Sequence, residues 1–97
     1  MKHFNKAEKD IELGERIGAK NIYERNGTKP WQNPEKTRYS MREHNTPCVY
    51  IGKRVINYKG YTDMDESYYF CPVEKWTVHL VAISKQRLAY VIDEDII

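Results

Sequence analysis

Cysteine, glycine and proline are scarce in this chain, and each scarcity excludes something. Two cysteines, Cys48 and Cys71, cannot build the dense disulfide framework on which very small secreted domains rely. Residues 1–15 have no apolar centre of the kind a secretion signal needs, and no apolar run reaches membrane-spanning length. The expectation is a cytoplasmic protein, without membrane attachment, whose cysteines are thiols. In that setting Asn26-Gly27-Thr28, which matches a glycosylation acceptor, is a turn and nothing more.

Groups able to hold a metal are also thinly spread. His44 and Cys48 stand four apart and Cys71 and His79 eight apart, whereas zinc sites draw their ligands from tight pairs such as Cys-x2-Cys. Asp63, Asp65 and Glu66, and again Asp93, Glu94 and Asp95, lack the regular ligand series and glycine of a calcium loop. No metal and no cofactor is assigned. Ser40, Ser67 and Ser84 sit in no nucleophile elbow, so no catalytic residue is assigned either. The remaining enzymatic reading is a small metal-independent ribonuclease using His79 with an Arg, Lys or Tyr.

Aromatic rings are plentiful: eight Tyr, two Trp and two Phe in 97 residues. That length suits one domain with one modest core. The strongest structural signal is residues 76–92. Two apolar runs, 76–83 and 88–92, flank Ser84-Lys85-Gln86-Arg87, and β-branched and aromatic residues dominate both. They read as a β-hairpin. The first run is apolar at both parities, which suits a strand covered on both faces or bent across a barrel.

Upstream, residues 48–58 read as a strand kinked at Gly52, Lys59-Gly60 as a turn, and residues 67–71 as a short aromatic strand ended by Pro72. Asp93, Glu94 and Asp95 close the chain, with Ile96 and Ile97 tucking back in a 3₁₀ turn. Near the start, Asn5 with Glu8 resembles a capping pair, and Phe4, Ala7 and Ile11 recur at helical spacing. This predicts a helix within residues 1–18 that ends between Gly14 and Gly18. Residues 19–47 are polar and broken by Gly27, Pro30, Pro34 and Pro47, and read as a long basic extended arm with short helical turns near 35–43.

The expected fold is therefore mainly β (α+β), a single domain. A short N-terminal helix (1–18) and the arm (19–47) precede a small barrel or half-barrel (48–97). The rhythm of that last part resembles SH3-like barrels, with a Gly52-Lys53-Arg54-Val55 strand opening, a strand led by Trp76, a tight hairpin and a terminal one-turn helix. The likeness is architectural and carries no family's signature residues, and such barrels host many roles.

Two binding functions follow. Eight Tyr exceed what so small a core absorbs with every hydroxyl satisfied, so several should lie outside, where Tyr, Trp and Arg dominate protein interfaces. The lead expectation is a non-enzymatic domain binding a protein partner through Trp31, Tyr58, Tyr61, Tyr68 and Tyr69. Its size and style suit an accessory or inhibitor factor of a phage or mobile element acting on a host complex. The alternative is nucleic-acid binding. Between Arg16 and Arg42 seven basic residues face only Glu24 and Glu35, with Tyr23, Trp31 and Tyr39 among them. Lys29, Trp31, Lys36, Arg38, Tyr39 and Arg42, extended by Lys53 and Arg54, would then track phosphates and stack bases. Nothing in the sequence fixes the homo-oligomeric state.

Overall fold

The computed structural model describes residues 2–26, 38–58 and 73–97. Among these lie strands β1 (His3–Asn5), β2 (Arg16–Gly18), β3 (Asn21–Asn26), β4 (Arg38–Glu43), β5 (Pro47–Tyr58), β6 (Glu74–Ser84) and β7 (Arg87–Val91). A 3₁₀ turn over Asp93–Asp95 follows. No helix among the described residues is long and apolar enough to cross a membrane.

β6 organises the sheet, as its apolar run leads one to expect. β5 lies along one edge in antiparallel register, from Val49 opposite Ala82 to Tyr58 opposite Glu74. The register shifts between Tyr50 and Gly52, a bulge at the expected kink. The other edge is shared: β1 pairs parallel with Lys75–Thr77, and β7 pairs antiparallel with the second half. Ser84 faces Arg87 across the Lys85-Gln86 turn, so the predicted hairpin forms with a two-residue loop. The full strand order is β2-β5-β6-β7-β3-β4.

This sheet curls into a mainly antiparallel half-barrel. β2 and β3 are two parts of one bent stretch, the first paired with β5 and the second with β4 and β7. The C terminus returns to that bend. Lys20 N–H donates to the Asp95 carbonyl at 2.8 Å and Ile97 N–H to the Gly18 carbonyl at 3.0 Å. Gly18 makes the approach possible, since a Cβ there would lie 3.3 Å from Ile97 Cβ.

Two apolar clusters pack on opposite faces of β6, which explains why the strand is apolar at both parities. Val81 joins Ile17, Ala19, Ile22, Cys48, Tyr50, Ala89 and Val91 on the inner face. Trp76 and Val78, of the other parity, join Tyr39, Ile56 and Ile92 on the outer face, with Phe4, Tyr23, Tyr58 and Tyr90 half-buried around them. The aromatic share of the second cluster is held by ring geometry. Tyr58 stacks on Trp76 with centroids 3.8 Å apart and planes 12° apart, and Tyr23 meets both edge-on at 5.9 Å.

Two expectations need correction. There is no helix among the described residues of the 1–18 segment. Asn5 Oδ1 accepts the Ala7 N–H at 3.1 Å in a local turn, and β1 joins the sheet. A helix confined between Asn5 and Gly14 is too short to sustain itself. The extended path instead satisfies its backbone against the sheet: Lys6 N–H reaches the Thr77 carbonyl and Gly14 N–H the Tyr50 carbonyl, both at 2.8 Å. It still buries Ala7 completely and seats Phe4 and Ile11 against the two clusters. Gly14 adopts φ +85°, a left-handed position where glycine is at ease.

The second correction concerns the 19–47 arm. Its described ends are paired strands, not a free tether or helical turns: Asn21 to Asn26 of β3 register against Glu43 to Arg38 of β4. The half-barrel accordingly draws β2, β3 and β4 from before residue 48. The helix-breaking Pro30 and Pro34 fall outside the described residues, as do Cys71 and the predicted aromatic strand at 67–71.

Candidate interaction surface

Strand register places exposed apolar side chains together on the outer face. Val49, Ala82 and Leu88 are direct cross-strand partners on β5, β6 and β7. The next row holds Leu80, Tyr90, Tyr23 and Met41, again paired in sequence across β6, β7, β3 and β4. Of these, Leu88 and Met41 are each 58 % exposed and Val49 41 %. Single exposed apolar residues are ordinary, but these three lie in two adjacent rows of one sheet face, with Ala82, Tyr90 and Tyr23 half-buried between them. Arg54, opposite Val78, and Arg25, opposite Tyr39, lie beside it.

The residues expected to bind a protein are distributed unevenly. Tyr58 is half-buried, its ring committed to Trp76 and stacked on Tyr39 at 5.8 Å. Trp31, Tyr61, Tyr68 and Tyr69 lie outside the described residues. Met41, Val49 and Leu88 went unnoticed in the sequence because they come together only through strand register.

The expected nucleic-acid track is likewise divided. Lys29 and Lys36 lie outside the described residues, and only the backbone of Arg38 is described. Tyr39 is 3 % exposed, wedged between Tyr58 and Tyr90. Burial pushes its phenol up, more than the nearby Arg25 guanidinium lowers it. Lys53 pairs with Asp10 at 3.4 Å, and Arg54 donates to the Lys53 carbonyl at 2.7 Å.

Arg42 sits in a second polar constellation. Its Nη2 donates to Glu24 Oε1 at 2.8 Å, and Arg87 Nη2 donates to the same oxygen at 2.5 Å. The Arg87 hydrogen bond and both positive charges hold the Glu24 carboxyl below its ordinary range, against a smaller effect of burial.

The third constellation is internal. His79 has no exposed surface, yet both ring nitrogens are engaged: Nδ1 lies 2.8 Å from the Tyr50 hydroxyl and Nε2 2.6 Å from Asp93 Oδ1. Asp93 in turn accepts the Glu8 and Lys9 N–H groups at 2.6 and 3.3 Å. Burial raises the Asp93 carboxyl, but the His79 hydrogen bond and those two N–H groups outweigh it and hold the group low. An ionised Asp93 only accepts, so Nε2 carries the imidazole proton and Nδ1 accepts from Tyr50. Burial, and then the Asp93 charge, push the Tyr50 phenol up. A Tyr–His–Asp series of this kind resembles a proton relay, but nothing in it faces solvent except the edge of Asp93, whose side chain is 25 % exposed.

His44 is turned toward the Thr46 hydroxyl at 2.6 Å, and Cys48 is a buried free thiol pushed up by burial. No group of three or more His, Cys, Asp or Glu among the described residues is placed to hold a metal ion. Comparison with protein-family models, with curated proteins and with solved structures finds no match to the chain.

Proposed function

We propose that this chain is a non-enzymatic interaction domain that grips a protein partner through the outer face of β5, β6, β7, β3 and β4. The observation that carries the reading is the exposure of Met41, Val49 and Leu88 in adjacent cross-strand rows. Such a surface favours a partner that offers aliphatic or aromatic side chains. We read the half-barrel as SH3-like. The 3₁₀ turn after the β6–β7 hairpin and the C-terminal return to the β2–β3 bend support that reading.

Nucleic-acid binding is less well supported, because Tyr39, the one aromatic residue of that track among the described residues, is buried and offers no face to a base. A ribonuclease built on His79 is disfavoured by that ring's complete burial. Affinity capture from a host extract, with and without nuclease, separates the classes. One protein should be retained at equal stoichiometry in both arms. Met41→Asp with Leu88→Asp should release it, and Lys53→Glu with Arg54→Glu should leave most of it bound. Loss of the captured protein on nuclease treatment, or the reverse pattern among the variants, rejects the reading.

A further inference from the structure

We infer that Arg42 and Arg87, drawn together by Glu24 on the inner face of β3, β4 and β7, form a binding site for a phosphate group, either the free anion or one carried by a nucleotide. Three neighbouring strands supply the parts: Glu24 from the middle of β3, Arg42 from β4, and Arg87 as the first residue of β7. Cross-strand pairing puts Glu24 opposite Ser40 and Arg42 opposite Ile22, so these residues share the face that deeper in the sheet becomes the core around Ile22 and Ala89.

Both guanidiniums donate to one carboxylate oxygen, which sets two positive charges against one negative. Each guanidinium has five N–H donors in a rigid fork, and only one from each goes to that oxygen in these two bonds. A cleft of about 190 Å³, lined by Glu24, Arg25, Ser40 and Arg42, opens beside the pair. That volume admits a phosphate and part of whatever carries it. Arg42 and Arg87 remain half-exposed while Glu24 is 23 % exposed, so the cationic groups face the solvent and the carboxylate lies behind them. Arg42 lines the cleft itself and Arg87 is tied to the same Glu24 oxygen, and guanidinium forks suit bidentate phosphate recognition.

A plain structural staple between β4 and β7 would use the same three residues, and the two roles differ in how Glu24 behaves. In a staple Glu24 is the attractive centre. In a phosphate site it is the internal competitor that the ligand displaces.

The test is a titration of the whole chain, followed by NMR at constant ionic strength, with inorganic phosphate in one arm and adenosine 5′-monophosphate in the other. Saturable shifts are expected at Ser40, Arg42 and Arg87. Arg42→Gln and Arg87→Gln should each weaken binding roughly tenfold or more, the loss expected for a charge-assisted hydrogen bond. Arg87→Lys, which keeps the charge and the fold but loses the fork, should weaken it too. Glu24→Gln should tighten binding, and Lys53→Gln should leave it unchanged. Tighter binding of the nucleotide assigns a nucleotide ligand, and equal affinity assigns the free anion. Shifts that fail to saturate, or that chloride reproduces, overturn the site, as does loss of binding in a folded Glu24→Gln variant. Met41 and Leu88 point to the opposite face of β4 and β7, and the uncharged pair Met41→Ala with Leu88→Ala should leave phosphate affinity intact.

Discussion

At the scale of single residues, His79 is fully buried with both ring nitrogens engaged. It sits in the middle of the most apolar strand with no solvent to satisfy it, and its two partners come from β5 and from the 3₁₀ turn. Removing either partner strands a buried polar atom. Tyr50→Phe should cost about 1–2 kcal/mol, and His79→Ala, which also opens a cavity, about 3 kcal/mol or more. Urea denaturation reads both as a lower midpoint with an unchanged slope. An unchanged midpoint for Tyr50→Phe would mean that the Tyr50–His79 hydrogen bond adds nothing.

Asp93 gives the same arrangement a pH dependence. Its carboxyl is held low in the folded protein, so it binds protons less readily there than in the unfolded chain. The stability it contributes is present above the unfolded carboxylate pKa, about 3.9, and is lost as pH falls through the lower folded value. Asp93→Asn should flatten that part of the acid-unfolding curve. Tyr23 acts at the opposite end. Burial, then the neighbouring Tyr58, Asp95 and Glu94, push its phenol up from the ordinary 10.0 to about 12. A raised folded pKa stabilises below the unfolded value and is lost as pH climbs, so stability should fall between about pH 10 and 12. Tyr23→Phe should reduce that alkaline loss, measured as melting temperature against pH.

At the scale of elements, β6, β7 and their hairpin were legible in the sequence, because long β-branched runs and a polar four-residue break leave few alternatives. The bulge of β5 was announced by Gly52, and the 3₁₀ turn by the acidic run before Ile96. The N-terminal segment misled for a definite reason. Phe4, Ala7 and Ile11 stand at helical spacing, but the same spacing lets an extended segment touch both clusters as it crosses the sheet edge. β3 and β4 were hidden because Asn-Ile-Tyr-Glu-Arg-Asn contains one fully buried residue, Ile22, and lies close to two prolines. The candidate surface was less legible still, since Met41, Val49 and Leu88 fall on one face only once four registers are set. His79 could be read as a ring in need of partners, but Tyr50 and Asp93 could not be named.

Element-scale substitutions follow from these placements. Gly14→Ala puts a Cβ into open space but at φ +85°, so its cost is backbone strain alone, about 1 kcal/mol. Val81→Ala, at a fully buried position on the inner face of β6, should cost about 2–3 kcal/mol through lost burial and a cavity. A calorimetric ranking with Gly14→Ala the more damaging would contradict the assignment of β6 as the centre of the core.

At the scale of the whole molecule, the sheet is tied together by segments far apart in sequence, and the N-terminal stretch does more than pack. β1 extends β6, Lys6 donates to Thr77 and accepts from Asp93 N–H, and the Glu8 and Lys9 N–H groups hold the carboxylate that holds His79. Deleting residues 1–9 therefore removes several hydrogen bonds, worth about 1 kcal/mol each, as well as the packing of Phe4 and the buried Ala7. A domain of this size has about 5–15 kcal/mol of stability in all, so the truncated chain should lie near the edge of folding. It should also lose protection at the Lys75 and Asp93 amides, which donate to the Lys2 and Lys6 carbonyls, before it loses protection at β5 and at the β6–β7 hairpin, because only the former depend on the missing segment. Hydrogen exchange on residues 10–97 can follow that order. If the truncation leaves the urea midpoint and the Lys75 and Asp93 amides unchanged, residues 2–9 are an appendage, and Tyr50 and the rest of the inner face hold His79 without them.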